Sequence, residues 1–223
     1  MKDMNWTVEN MPDLRGKIIV VTGGNSGLGY ESVKAFASKG AEVVLASRST
    51  EKGEGARAAI LKAVPEGTIQ VMQLDLGDLE SVRSFASAFK NSHKKLDVLL
   101  NNAGIMMTPY FTTKDGFEGQ LGTNHLGHFA LTGLLMDVLL QTEGARIVNV
   151  SSGAHKRGEM DFYNLQYENG RDYTPMKAYG PDGKREFKGY PVVVPSNEAS
   201  HNVEDEAKLW EESEKMTGVK IEI

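Results

Sequence analysis

Short apolar runs alternate along the chain with longer segments whose apolar residues recur at helical spacing. The runs KIIVVT (17–22) and EVVLAS (42–47) are rich in β-branched residues, which favour strands. Between them, Val33 and Ala37 fall on one face of an expected helix that stops at Gly40. The first part of the chain is therefore predicted to fold in the order strand, helix, strand.

The same alternation continues to about residue 151. The strands are almost continuously apolar, as expected where helices cover both faces of a parallel sheet. The pattern predicts an α/β fold, a Rossmann-like doubly wound parallel sheet with five strands up to this point. Further strands are predicted at IQVMQLDL (69–76), LDVLL (96–100) and ARIVNVS (145–151). Helices are predicted over 51–63 and over about 116–141. A third helix is expected to begin after the cap Asp78 and to bury the face formed by Val82, Phe85, Ala86 and Phe89.

The composition changes after Ser152. Residues 153–200 are rich in Gly, Pro, Asn, Lys and Tyr, and only PVVV (191–194) resembles a strand. A charged helix is expected over 202–217. Val203, Ala207 and Trp210 are expected to form its apolar face, and Gly218 is expected to end it.

Composition and charge limit the classes of partner. A length of 223 residues, 40% of them hydrophobic, suffices for one core, so a single domain is expected over 1–223, with 180–223 as a C-terminal tail segment. The net charge of −5 argues against nucleic acid or an anionic membrane as partner. The chain has no cysteine, which excludes disulfides and a thiol nucleophile. Because no leader peptide or transmembrane span is evident, a cytoplasmic protein is expected.

The sequence TGGNSGLG (22–29) joins the first predicted strand to the first predicted helix. Gly23 permits a tight turn, Gly27 lets the backbone approach a pyrophosphate, and Gly29 allows close packing of the helix. An ordinary glycine-rich turn is the alternative interpretation. The flanking strand and helix favour a dinucleotide site, with the phosphates at the helix N-terminus.

The end of the second predicted strand bears on which dinucleotide is bound. An NAD site commonly has an acidic residue here that binds the ribose hydroxyls, whereas an Arg can accept a 2′-phosphate. This chain has Ala46-Ser47-Arg48. NADP(H) is therefore predicted over NAD(H). The alternative is that Arg48 is only a solvated surface charge.

Five motifs together resemble the short-chain dehydrogenase/reductase family, and NSGLG, ASR, NNAGIM and NHLGHFALT resemble its retinol-dehydrogenase and protochlorophyllide-reductase-like branch. The resemblance covers about residues 14–180. It implies an oxidoreductase that transfers a hydride between NADP(H) and a small apolar carbonyl or alcohol substrate, without a metal. The motifs are the glycine spacing at Gly23, Gly27 and Gly29, then Asp75-Leu76, NNAG (101–104), TNHLGHF (123–129) and VNVSSGAH (148–155).

The resemblance also implies roles for individual residues. Asp75 would bond the adenine amino group, and Asn124 would lie at a helix distortion that holds a water of a proton relay. Ser152 would hydrogen-bond the substrate oxygen, and Tyr179 would exchange the proton. The implied catalytic residues are Asn124, Ser152 and Tyr179, and the candidate cofactor-binding residues are Gly23, Asn25, Ser26, Gly27, Leu28, Gly29, Ser47, Arg48, Asp75, Leu76, Asn102, Ala103 and Gly104.

The chain departs from the family pattern after Tyr179. The family has a Lys four residues later, whose charge favours the phenolate, whereas this chain has Gly183, preceded by Pro181. The following segments, YGPDGKREFKGYPVVV and AKLWEESEKMTGV, resemble the extreme C-terminal part of the same branch. Tyr179-Gly180 is thus expected to be a junction where an internal segment was lost, with an unrelated new tail as the alternative.

Loss of that segment would leave the fifth strand as an apolar sheet edge, an aggregation hazard unless it is covered. PVVV and the Trp210 face are the candidate covers. For His125, His128 and His155, structural roles are favoured over a metal site, because no cysteine or spaced carboxylate accompanies them. Met106, Met107 and Met160 fit either an apolar substrate pocket or the core.

Two functions fit these residues. The first is the oxidoreductase, working at a reduced rate or not at all in this form. The second is a nucleotide-binding protein without turnover, either a sensor or a shortened variant. A homo-oligomer is compatible with the sequence but is not specified by it.

Overall fold

The computed structural model describes residues 6–152, 161–170, 173 and 202–221, and these form a parallel sheet covered by helices on both faces. The sheet has the order β3-β2-β1-β4-β5, and every neighbouring pair is parallel. The predicted doubly wound α/β fold is confirmed. Its strands are β1 (Ile18–Thr22), β2 (Glu42–Ser47), β3 (Thr68–Gln73), β4 (Val98–Asn101) and β5 (Arg146–Asn149).

Helices connect the strands and also end the described part of the chain. Short 3₁₀ turns lie at Val8–Asn10 and Glu168–Gly170. No helix of the described ranges combines the length and the apolar character needed to cross a membrane. The helices are α1 (Gly27–Ser38), α2 (Thr50–Ala63), α3 (Leu79–Ser92), a π-helix (Leu121–Leu126) that continues into α4 (Gly127–Leu140), and α5 (Val203–Thr217).

Two apolar layers hold the helices to the sheet. On one face, Ile19 and Val21 of β1 belong to a buried cluster that includes residues of α1 and α2. On the other face, Val20 belongs to a cluster that includes residues of α3 and α4. This alternation follows from the strand period of two, since successive side chains point to opposite faces. The predicted buried face of α3, at Val82, Phe85, Ala86 and Phe89, is confirmed.

Strand register brings the carboxyl ends of the central strands to one edge of the sheet. Thr22 lies opposite Ala46 of β2, and Val21 lies opposite Leu100 of β4. The loops after β1, β2 and β4 therefore begin at nearly the same level. Crevices at this edge are where ligands bind in open α/β sheets.

The fifth strand is the outer edge of the sheet in the described part of the chain, as the sequence predicted. Ile147 and Val148 are 39% and 43% exposed, and Val150 just beyond the strand is 49% exposed. The predicted cover by the Trp210 face is wrong, because the Trp210 ring packs edge-on against Phe129 of α4, with 5.2 Å between ring centroids. The other candidate cover, PVVV (191–194), lies outside the described residues.

Helix α5 packs on α4 and the π-helix with a different face from the predicted one. Val203 and Ala207 are exposed, whereas Ser213 and Thr217 are buried. The buried positions thus carry small hydroxyl side chains in place of the predicted apolar ones. The predicted stop is confirmed, since Gly218 has a left-handed backbone with φ 65°.

Polar contacts fix α5 in this position. The hydroxyl of Ser213 donates to the carbonyl of Leu209 at 2.7 Å, and Nε2 of His125 lies 2.8 Å from the hydroxyl oxygen of Ser213. Because the only hydroxyl hydrogen of Ser213 is used, His125 must donate. Arg83 of α3 also donates to the carbonyl of Thr217 at 2.8 Å. Helix α5 is thus joined to both α3 and the π-helix.

Replacing Ser213 by Ala should leave the Nε2–H of His125 buried without an acceptor. A buried donor that loses its partner costs about 1–3 kcal/mol. We expect that loss in the free energy of unfolding measured by urea denaturation. Ser38→Ala is the control, because its exposed hydroxyl bonds only a carbonyl of its own helix and its loss should change stability by less than about 0.5 kcal/mol. Equal effects of the two changes would contradict the role of the His125 contact.

Candidate functional site

The glycine turn after β1 is packed so closely that side chains are excluded from it. Gly23 has φ 66°, and its amide donates to the carbonyl of Ala46 at 2.9 Å. A Cβ on Gly29, in the first turn of α1, would overlap the carbonyl oxygen of Gly23 and lie 2.6 Å from Nδ2 of Asn102. The start of α1 is therefore held against both the turn and the loop after β4. Its free amides face the cavity edge of the sheet, where an anion is favoured.

The loop after β4 is fixed to the end of β1 by one hydroxyl group. The amides of Asn102 and Ala103 donate to Oγ1 of Thr22 at 2.8 and 2.9 Å. The side-chain amide of Asn102 donates to the carbonyl of Thr22 at 2.8 Å. These bonds join two loops that start about 80 residues apart.

A cavity of about 430 Å³ lies over these loops. Three predicted cofactor residues, Gly27, Gly29 and Ser47, do not line the cavity. Gly27 and Gly29 form the start of α1. Ser47 is buried, and its hydroxyl donates a hydrogen bond to Oδ1 of Asn25 at 3.1 Å. The predicted residues in the lining are Gly23, Asn25, Ser26, Leu28, Arg48, Asp75, Leu76, Asn102, Ala103 and Gly104. The lining also contains Thr22, Leu74, Ile105, Thr123 and Val150, which were not predicted as site residues.

Two charged residues of the lining come from adjacent strand ends. Arg48 follows β2 and is exposed, so its guanidinium is free to meet a ligand at the mouth of the cavity. Asp75 is half-buried after β3, and its Oδ1 accepts the amide of Gly77 at 2.9 Å. The bond fixes the orientation of the Asp75 carboxylate, which suits recognition of a planar donor such as an amino group.

The three implied catalytic residues are only partly placed by the structure. Asn124 lies in the π-helix, so the expected helix distortion is present. Its side chain accepts the amide of Ile105 and donates to the carbonyl of Ile105, both at 2.8 Å. Ser152 is exposed, shortly after β5. Tyr179 lies outside the described residues, as do Gly183 and the proposed junction.

Glu118 positions the π-helix and was not singled out from the sequence. Its side chain is fully buried, and its two carboxylate oxygens accept the amides of Gln120 and Leu121 at 2.9 and 2.7 Å. These are free amides at the start of the helix, where a negative charge is also favoured by the helix dipole. An acid just before the apolar helical pattern was the available signal. The carboxylate thereby fixes where the helix that carries Asn124 begins.

The histidines of the helix have structural partners. Burial lowers the pKa of His128 to about 4 and also lowers the pKa of His125, so both rings are neutral at pH 7. Within the described ranges, no group of three or more His, Asp or Glu residues could hold a metal ion. His155 lies outside these ranges.

Apolar side chains are exposed near the mouth of the cavity. Leu28 is 74% exposed, and Met106 and Met107 are 60% and 55% exposed. The alternative that these two methionines pack in the core is therefore wrong, and Met160 lies outside the described residues. Exposed apolar groups around a cavity are a common feature of surfaces that bind apolar ligands.

The sequence matches known dehydrogenases over most of its length. The family model described as short chain dehydrogenase matches residues 17–164. Retinol dehydrogenase 11 of Homo sapiens is 50% identical over 166 residues, which are 74% of this chain and 52% of that protein. Retinol dehydrogenase 13 of Homo sapiens is 42% identical over 164 residues, with 74% and 49% covered. The chain thus spans about half the length of the curated relatives it matches.

Solved structures agree with this match. An uncharacterized protein of Mycobacterium paratuberculosis has a TM-score of 0.85 at 31% identity, over 99% of this chain and 100% of that one. A short chain dehydrogenase of Escherichia coli, solved in complex with NADPH, has a TM-score of 0.57 at 26% identity, over 66% and 63%. A short chain dehydrogenase of Shigella flexneri, complexed with NADP, has the same TM-score and identity, over 68% and 66%.

Substitution of Gly29 by Ala tests the close packing of the glycine turn. The added methyl group would collide with backbone at Gly23, which cannot yield without moving the loop. We expect unfolding free energy to fall by about 1–3 kcal/mol. Gly55→Ala is the matched control, because Gly55 also lies in a helix but has open space around it, and the change should raise stability by up to about 1 kcal/mol. A stabilising effect at Gly29 would contradict the packing described above.

Proposed function

The chain belongs to the short-chain dehydrogenase family, and we propose that it binds NADP(H) and transfers a hydride between the nicotinamide and an apolar carbonyl or alcohol substrate. The observation that carries this proposal is the cavity at the carboxyl ends of β1, β2 and β4, bounded by the glycine turn and by the loop that contains Asn102 and Gly104. A dinucleotide binds in this position in related folds. The structural neighbours complexed with NADPH and NADP support the same class of cofactor.

The side chains at the end of β2 favour NADP(H) over NAD(H). Arg48 is exposed at the cavity, and the residues before it, Ala46 and Ser47, carry no negative charge. An Arg here can accept a 2′-phosphate, whereas the acid that would bind the two ribose hydroxyls is absent from this position. Asp75, fixed by the amide of Gly77, would then hold the adenine amino group on the opposite side.

The catalytic part of the proposal assigns the proton and the substrate oxygen to the chain itself. When bound, the nicotinamide supplies or accepts the hydride. Ser152 would donate to the substrate oxygen, and Tyr179 would exchange the proton. Asn124 would hold the loop at Ile105 and the π-helix at a fixed distance through its two bonds to Ile105. A phenol titrates near pH 10, so Tyr179 would need nearby positive charge to act as a base at neutral pH.

An apolar substrate agrees with the groups around the cavity. Leu28 and Val150 belong to its lining and are largely exposed, and Met106 and Met107 follow directly after Ile105, which also lines it. The two relatives described above carry the name retinol dehydrogenase, and retinol is an apolar alcohol. The cytoplasmic location and a homo-oligomeric state stay predictions.

A nucleotide-binding protein without turnover is the second candidate, and Gly183 favours it. The family Lys that would lower the pKa of the catalytic Tyr is replaced there by a residue without a side chain. The strand that leads to Ser152 is also exposed at the sheet edge. Both observations concern the chemistry, whereas all of the cavity lining except Val150 comes from earlier parts of the chain. Binding and turnover therefore need separate tests.

Nucleotide binding is tested by thermal unfolding with and without saturating NADPH or NADH. A ligand that binds only the folded state raises the melting temperature. We expect a clear rise with NADPH and little with NADH. Arg48→Ala should weaken NADPH binding about 10- to 100-fold, because one charge-assisted bond to the 2′-phosphate is lost, and should leave NADH unchanged. Lys62→Ala, an exposed cation at the end of α2, is the control. An equal or larger shift with NADH would overturn the NADP(H) assignment.

Turnover is tested by following NADPH oxidation with a panel of apolar aldehydes. If the chain is an oxidoreductase, Tyr179→Phe should slow the reaction by about 10²–10⁴, because the proton donor is removed. Tyr163→Phe should have no effect, since that ring is 98% exposed. NADPH binding without any turnover would support the second candidate and contradict the first.

A further inference from the structure

His128 is buried in the first turn of α4, directly beneath the end of β1. Its ring is 7% exposed. Nδ1 lies 2.9 Å from the carbonyl oxygen of Asn124, and Nε2 lies 2.9 Å from Oγ1 of Thr22. One ring therefore contacts both the π-helix and the hydroxyl that holds the loop after β4.

The partners of the ring determine its tautomer. A carbonyl oxygen only accepts, so Nδ1 of His128 must carry a hydrogen. Burial keeps the ring neutral at pH 7, since it lowers the pKa to about 4, and the neighbouring ring of His125 acts in the same direction. A neutral imidazole has one N–H group, so Nε2 is an acceptor. The hydroxyl of Thr22 must then donate to His128.

This donation leaves the Thr22 hydroxyl fully used. Its oxygen has two lone pairs, and the amides of Asn102 and Ala103 take both. Its one hydrogen points to Nε2 of His128 at 2.9 Å, while the other nearby acceptor, the carbonyl of Leu100, is at 3.4 Å. A donor in place of Nε2 would compete with the two amides for the same oxygen.

We propose that His128 is a positioning residue of the nucleotide site, acting through Thr22. By accepting the hydroxyl hydrogen, it keeps both lone pairs of Thr22 directed at the amides of Asn102 and Ala103. The loop that forms the floor of the cavity is thereby held against the glycine turn. The inference rests on the proposed nucleotide binding and adds a residue that does not line the cavity.

Two substitutions at His128 separate positioning from simple packing. In Gln, the terminal amide falls near the place of Nε2, and its oxygen can accept the hydrogen of Thr22. In Asn, the terminal amide falls near the place of Nδ1, so the bond to Asn124 is kept while Thr22 loses its acceptor. Both remove ring volume and should lower stability. Only the Asn variant should bind NADPH more weakly, by about tenfold or more, with the Gln variant within about threefold of the wild type.

Thr22→Val provides a second route to the same result. This change removes the hydroxyl itself, so it should weaken NADPH binding as His128→Asn does. The double variant should bind NADPH no more weakly than either single variant, because both changes remove the same Thr22–His128 contact. Wild-type affinity in both the Asn and the Val variants, or equal losses in Asn and Gln, would overturn the proposal.

Two measurements in the absence of nucleotide keep this inference distinct from the proposed function. Nitrogen NMR of the wild-type protein should show the Nδ1–H tautomer of His128 at pH 7, and the Nε2–H tautomer would overturn the inference. Hydrogen exchange at the amides of Asn102 and Ala103 should be faster in His128→Asn than in His128→Gln. If the wild type bound neither NADPH nor NADH, the proposed function would fail. Hydrogen exchange at the amides of Asn102 and Ala103 would then still test whether His128 positions this loop.

Discussion

The hydroxyl of Thr22 joins the two loops on which the candidate site is built. Strands β1 and β4 are neighbours in the sheet, so the ends of both strands lie side by side, although they are distant in the chain. The amides of Asn102 and Ala103 meet the hydroxyl there, and the loop approaches so closely that a Cβ on Gly23 would lie 3.0 Å from Cα of Ala103. The cavity is the space above this junction, and its shape depends on it.

The helical side of the site is held by polar contacts, one of them local and two of them to other parts of the chain. Glu118 fixes the start of the helix, Asn124 holds the loop at Ile105, and His125 donates to Ser213 of the C-terminal helix. Helix α5 thus packs on the turn that carries the implied catalytic Asn. Each of these polar groups is buried or half-buried and has a partner, so each contributes to a single arrangement of the helix.

The two halves of the proposed function depend on different parts of the molecule. The proposed nucleotide binding depends mainly on the loops after β1 to β4, and the strands that carry these loops are buried between two apolar layers. The proposed chemistry depends on Asn124 and on residues at and beyond β5, a strand whose apolar side chains are exposed and whose outer edge has no partner among the described residues. Gly183 in place of the family Lys affects the same half. In the proposed function, binding of the cofactor is therefore separable from completion of the reaction.

Local patterns in the sequence determined the strands, the cap at Asp78, the stop at Gly218 and the glycine turn, because each depends on residues within a few positions of one another. The tertiary structure alone decided which face of α5 is buried and that His128 meets Thr22, 106 residues away. Spacing along a helix shows which side chains share a face. The partner of that face is set by the packing of distant elements, which no local pattern contains.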